Sequence, residues 1–188
     1  MSVSKQLAHS QLGLHSNYTC KYDPSLLLPL ARSVQRQNLG LMSPLPFHGC
    51  DIWNAYELSW LNTKGKPMVA TATFNIPCYS PNLIESKSFK LYLNSFNNTH
   101  FLNLTTIYNT LINDLSSAIG TPIQIDLTLL NQHSPKTSAL FQGTCLDNLD
   151  IYINKYTVAP ELLTTHQEHT TETLYSNLLK SNLSLIHI

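Results

Sequence analysis

From Ile52 the chain alternates in two-residue steps, with Trp53, Ala55, Glu57, Ser59 and Leu61 on one side and Ile52, Asn54, Tyr56, Leu58 and Trp60 on the other. That period predicts an extended strand with one apolar face. A turn is expected at Asn62 to Pro67, around Gly65. A second alternating run follows, with Met68, Ala70, Ala72, Phe74 and Ile76 on one face and Thr71, Thr73 and Asn75 on the other. The two runs are expected to pair as a hairpin. The period then changes. In NLIESKSFKLYLNSF, from Asn82 to Phe96, Glu85, Phe89, Tyr92 and Phe96 share one helical face while Lys87, Lys90 and Asn94 form a polar stripe on another. Asn82 suits an N-cap, and Glu85 three positions later has the spacing of a capping box, so a helix is expected to start there. By itself this spacing supports a capping Glu, solvated lysines and a core-facing aromatic stripe.

A second helix is expected from about Leu104 to Ile119, where Ile107, Leu111, Ile112, Leu115 and Ile119 recur at helical spacing and Gly120 can stop it. Strands resume with Ile123, Ile125, Leu127 and Leu129 in alternation, then a shorter run at Ile151 to Ile153. Residues 1–50 are rich in Pro, Ser and Asn, with a short apolar run at Leu26 to Leu30 broken by Pro29. They predict an irregular lead-in. Strand, strand, helix, helix, strand, strand leaves one helical layer for one sheet. The fold class expected is α+β, an antiparallel sheet with two helices on one face.

Composition narrows the function classes. The chain has 188 residues, zero formal net charge and only 12% charged residues. No basic block tracks phosphates, so nucleic-acid binding has no support and a small-molecule substrate is expected. The N-terminal MSVSKQLAHSQLGLHS lacks a continuous apolar stretch, and no apolar run approaches the ~20 residues of a membrane helix. A cytoplasmic protein with no membrane partner is expected. Cys20, Cys50, Cys78 and Cys145 are scattered, without C-x-x-C spacing, and are expected to be reduced. His166 and His169 lie in THQEHTTE, a polar stretch that reads as a loop rather than a ligand pair. No metal site is expected.

The run Glu85, Ser86, Lys87, Ser88, Lys90, Leu91, Tyr92, Leu93, with Phe96 and Asn97 after it, resembles the signature of the nitrile oxidoreductase family. These are the NADPH-dependent 7-cyano-7-deazaguanine reductases of queuosine biosynthesis, a tRNA modification. LPFHGCDIW at 45–53, YELSWLN at 56–62, FQGTCLD at 141–147 and LLKSN at 178–182 are similar to the long, two-module form, so the resemblance runs from about Tyr22 to Asn182. It implies the tunnelling fold, NADPH as cofactor, and reduction of the nitrile to 7-aminomethyl-7-deazaguanine. It implies substrate contacts at Ile84, Glu85 and Ser86 and cofactor contacts at Ser86 and Lys87. A carboxylate suits the two parallel N–H donors of a guanine-like edge, and a Lys ammonium suits phosphate. A homodimer is implied for the full-length protein.

The resemblance also implies a nucleophilic Cys that adds to the nitrile and an Asp that donates protons. The Cys should follow Lys180, Ser181 and Asn182, where this chain has Leu183; the Asp would fall beyond Ile188. A second module, with a His-Glu substrate pair and an Arg-Gly cofactor contact, would also lie further on. The tail LSLIHI, 183–188, is similar to the translation of a transposon adapter end, CTG TCT CTT ATA CAC ATC. The expectation is a truncated chain whose natural sequence continues after codon 182, with natural truncation as the alternative. Reading the native locus downstream tests this. The domains expected are a lead-in at 1–50, a first module at 51–160, a linker and the first strand of a second module at 161–182, and a non-native tail at 183–188. That strand, Thr171 to Leu179, is expected to lack a sheet to join, and the chain is expected to be inactive. The competing reading is a non-catalytic purine-binding module of the same fold.

Overall fold

A computed structural model describes residues 21–130, 142–149, 151–152, 154–155 and 159–176. The chain divides into two compact units, residues 1–134 and 135–188. The division falls inside the span that sequence assigns to the first module.

The first unit is α+β. Strands β1 (Pro29–Ala31), β2 (Cys50–Leu61), β3 (Pro67–Pro77), β4 (Asn82–Ile84) and β5 (Gln124–Leu129) accompany helices α1 (Arg32–Asn38), α2 (Ser86–Asn94) and α3 (Leu104–Ile119). An antiparallel sheet runs in the order β2-β3-β5, and β1 and β4 make a separate antiparallel ribbon. The expected hairpin forms. Its turn is fixed by Asn62, whose Oδ1 accepts the amides of Lys64 and Lys66 at 2.9 Å each.

The alternation of β2 is not continuous. Trp53 pairs with Phe74 and Ala55 with Ala72, but the next pair is Leu58 with Ala70, so Tyr56 and Glu57 together face one residue of β3. This bulge shifts the phase of the strand. Trp53 and Ala55 point inward before it and Leu58 and Trp60 after it, while Ile52 and Tyr56 are exposed. The bulge therefore brings Trp53, Ala55, Leu58 and Trp60 to one face by one register step.

On that face Ala70, Ala72, Phe74, Ile76 and Ile125 pack against Phe89 and Tyr92 of α2 and Ile107, Leu111, Leu115 and Ile119 of α3. Small alanines at the sheet centre let large helical side chains approach. Each fully buried Leu, Ile or Phe contributes about 1.5–3 kcal/mol. Aromatic rings bind α2 to what surrounds it: Phe89 lies edge-on to Phe74 with centroids 5.1 Å apart, and Phe96 stacks on Phe101 at the same 5.1 Å. Gly120 ends α3 with φ 77°, and a Cβ there would meet Pro81 Cγ at 2.9 Å, so both conformation and space require glycine.

Two expectations for this unit are corrected. The lead-in is not irregular throughout: a 3-10 turn at Pro24–Leu26, β1 and a third helix, α1, lie within it. Residues 82–84 do not begin a helix. They pair with β1, Pro29 to Ile84 and Ala31 to Asn82, which commits their backbone to extended geometry, while Asn82 Nδ2 donates to the Ala118 carbonyl at 3.1 Å. The helix starts four residues later.

In the second unit β6 (Thr144–Cys145) and β7 (Leu174–Tyr175) pair in parallel. The strand expected over 171–179 thus has a partner in its described part, and the rest of it lies outside the described residues. A Cβ on Gly143 would come within 2.3 Å of the Thr173 carbonyl, so glycine lets the two segments close. No strand forms at Ile151 and Tyr152, which are 64% and 93% exposed and have no strand beside them among the described residues; Ile153 lies outside those residues. Among the described residues no helix is long and apolar enough to cross a membrane.

Candidate functional site

Glu85 is the N-cap of α2. Its backbone is extended, φ −65° and ψ 133°, and its carboxylate turns back on the helix start. Oε1 accepts the Lys87 amide at 2.8 Å and Oε2 accepts the Ser88 amide at 2.7 Å. The Ser86 hydroxyl donates weakly to Oε1 at 3.4 Å. Two orphan amides of the first turn thereby meet one anion, and a carboxylate at a helix N-terminus is stabilised further by the helix dipole, up to about 2 kcal/mol when partly buried.

The backbone of Glu85 is held as firmly. Its N–H donates to the Leu28 carbonyl at 2.9 Å, and its carbonyl accepts the Ser88 hydroxyl at 2.8 Å. The same Ser88 oxygen accepts the Leu28 amide at 3.1 Å. Ser88 is buried and therefore ties the lead-in to the helix start from both directions. The side chains named from sequence sit together here: Ile84 is buried, Glu85 is 5% exposed, Ser86 is exposed and Lys87 is half-buried. A carboxylate has about four lone-pair sites, and the two short amide bonds use two. Two remain, one of them approached by the Ser86 hydroxyl.

Sequence reasoning placed Ser88 in the motif without giving it a role, and missed the residues that anchor the other end of α2. Tyr22 and Tyr92 both donate to Asp114 Oδ2, at 2.5 and 2.6 Å. Burial, and then the hydrogen bond to Asp114, raise both phenol pKa values far above the usual tyrosine range. Tyr22 and Asp23 also donate their amides to Thr99 Oγ1 and Ser95 Oγ, at 2.8 and 3.2 Å. The available signal was Asp114 itself, a carboxylate three residues after Leu111 on the edge of the apolar stripe of α3.

Of the cysteines, Cys50 is exposed, Cys78 and Cys145 are half-buried, and all three are free thiols; Cys20 and Leu183 lie outside the described residues. His166 and His169 are exposed and outside any helix or strand. No group of three His, Cys, Asp or Glu side chains among the described residues could hold a metal ion.

Residues 18–127 match the family described as nitrile reductase, 7-cyano-7-deazaguanine-reductase N-term. The chain belongs to this family. It is 51% identical over 178 residues to the NADPH-dependent 7-cyano-7-deazaguanine reductase of Cupriavidus taiwanensis, covering 93% of this chain and 64% of that protein. A protein of the same name from Dechloromonas aromatica is 51% identical over 175 residues, covering 92% and 62%, and one from Bordetella avium is 50% identical over 177 residues, covering 94% and 65%. The chain thus spans a little under two thirds of the length of the curated relatives it matches. The whole Glu85 turn and its Leu28 and Asp114 anchors lie inside the matched segment of the nitrile reductase family.

Proposed function

We propose that this chain is the first module of an NADPH-dependent reductase that converts the nitrile of 7-cyano-7-deazaguanine to an aminomethyl group in queuosine biosynthesis. The observation that carries the reading is the Glu85 carboxylate, aimed by two backbone amides and shielded from water, with Ile84 and Ser86 on either side. In this role Glu85 accepts hydrogen bonds from the deazaguanine edge, Ile84 and Ser86 flank the base, and Ser86 and Lys87 hold NADPH. The cofactor, when bound, supplies the reducing equivalents. What this module contributes is binding and orientation, with Leu28 and Ser88 fixing the turn that carries Glu85. A cytoplasmic homodimer of full-length chains acting on a small molecule, without nucleic acid, belongs to the same proposal.

A second reading, a purine-binding module without chemistry, is favoured by Leu183 at the position where the family resemblance places the nucleophile. Calorimetric titration of the 188-residue chain with the deazaguanine nitrile tests the shared premise. Binding is expected, at least tenfold weaker in Glu85→Gln, because an amide cannot accept along both oxygens; equal affinity in the two proteins overturns the role of Glu85. Neither reading gives nitrile-dependent oxidation of NADPH by the 188-residue chain, and turnover would overturn both. Titration with NADPH separates them, with binding expected of a reductase module that holds the cofactor at Ser86 and Lys87 and none of a purine-binding module.

A further inference from the structure

A groove of about 650 Å³ lies among α1, residues 41–49 and the turn at 78–81. Its lining includes Arg32, Arg36 and His48 and no Asp or Glu. The two arginines stand one helical turn apart on α1, and the turn holds both: Arg32 Nε donates to Ser80 Oγ at 2.9 Å, and Arg36 Nη2 donates to the Cys78 carbonyl. Arg32 also pairs with Asp51, whereas Arg36 has no salt bridge among the described residues, so its charge is uncompensated there. The Arg36 guanidinium lies 5.9 Å from the centre of the Phe47 ring. A guanidinium carries five N–H donors, and these contacts use two on Arg32 and one on Arg36. The Nη1 groups of both have no hydrogen-bond partner among the described residues. Anchored planar forks of this kind match phosphate oxygens, and the half-exposed Phe47 and exposed Tyr79 and Met42 offer apolar surface to a heterocycle.

The groove and the Glu85 turn occupy opposite ends of one ribbon. Arg32 follows β1 and donates its amide to the Pro81 carbonyl at the Asn82 end of β4, whereas Glu85 follows β4 at the other end. About 13 Å of extended chain separates Pro81 from Glu85. An extended dinucleotide bridges such a span. We propose that the groove takes the phosphate-bearing adenylate end of the nicotinamide cofactor whose reactive end lies by Ser86 and Lys87. This rests on the cofactor reading above.

The test is calorimetric titration of the 188-residue chain with adenosine 2′,5′-bisphosphate, a soluble copy of that end. Binding is expected, about ten- to a hundredfold weaker in Arg36→Gln, as befits loss of a hydrogen bond to a charged group. NADPH should displace the bisphosphate. Because Arg36 also braces the Cys78 turn, Met42→Glu gives a second probe at an exposed lining position; it places a carboxylate in the groove and should weaken the bisphosphate by about tenfold. Neither variant should alter affinity for the deazaguanine nitrile, which is measured on the same preparations and reports on the Glu85 reading separately. Absence of bisphosphate binding overturns the proposal. So does affinity indifferent to both variants, or NADPH that binds alongside the bisphosphate without displacing it.

Discussion

The two helices that cover the sheet begin in different ways. At the start of α3, Asn103 is exposed and its Oδ1 accepts the Thr106 amide at 2.9 Å and the Thr106 hydroxyl at 3.0 Å. This is an ordinary cap: one short polar side chain, one amide, solvent around it. At the start of α2, a 5% exposed glutamate holds two amides, and its own N–H and C=O are fixed by Leu28 and Ser88. Starting a helix needs only the first arrangement. The second locates one carboxylate from four directions, which a helix does not require and a ligand-orienting group does.

The sharpest way to break this comparison is to remove both caps. Glu85→Ala leaves the buried Ser88 amide and the part-buried Lys87 amide without an acceptor, the first costing about 1–3 kcal/mol and the second less, so a destabilisation of about 3 kcal/mol is expected from urea unfolding. Asn103→Ala exposes its amide to water and should cost about 1 kcal/mol. The nitrile should bind the Asn103 variant as it binds the parent and fail to bind the Glu85 variant. Equal stability losses would make the two caps equivalent and remove the structural argument for Glu85 as more than a helix start.

How legible each start was follows from where its determinants lie. The span 104–119 was readable because its period and its stop at Gly120 are both local in sequence. The apolar face of α2 was readable for the same reason. Its start was not, because Asn82 to Ile84 have good capping chemistry and become strand only by pairing with Pro29 to Ala31, some fifty residues earlier. The same distance effect hid β1 and α1 inside a segment whose Pro and Ser content suggested no structure. The β2 bulge was written in the sequence as a change of phase between Ala55 and Leu58, but a continuous alternation fitted the residues nearly as well until the partner strand fixed the register. At the candidate site, the identities of Ile84, Glu85, Ser86 and Lys87 came from resemblance. Ser88 and Leu28, which position them, emerge only once the lead-in is laid against the helix.

The two helices are also linked at their far ends, since Tyr92 of α2 donates to Asp114 of α3. In the fold, burial first and then this hydrogen bond raise the Tyr92 pKa, so the phenol stays protonated well above the pH at which an exposed tyrosine ionises. The unfolded chain releases that proton near pH 10. Above that pH the unfolded state binds fewer protons than the folded one, so the stabilisation is fully present below about pH 10 and falls as the pH rises through the folded value. Half a unit above pH 10 one such phenol amounts to just under about 1 kcal/mol. Urea midpoints taken from about pH 9 to 10.5 should therefore fall more steeply for the parent chain than for Tyr92→Phe, whatever constant offset the lost hydroxyl imposes. Parallel slopes would mean that Tyr92 ionises alike in both states and that the Asp114 link does not couple α2 to α3. The Glu85 turn would then be secured by the Leu28 and Ser88 contacts without help from the far end of its helix.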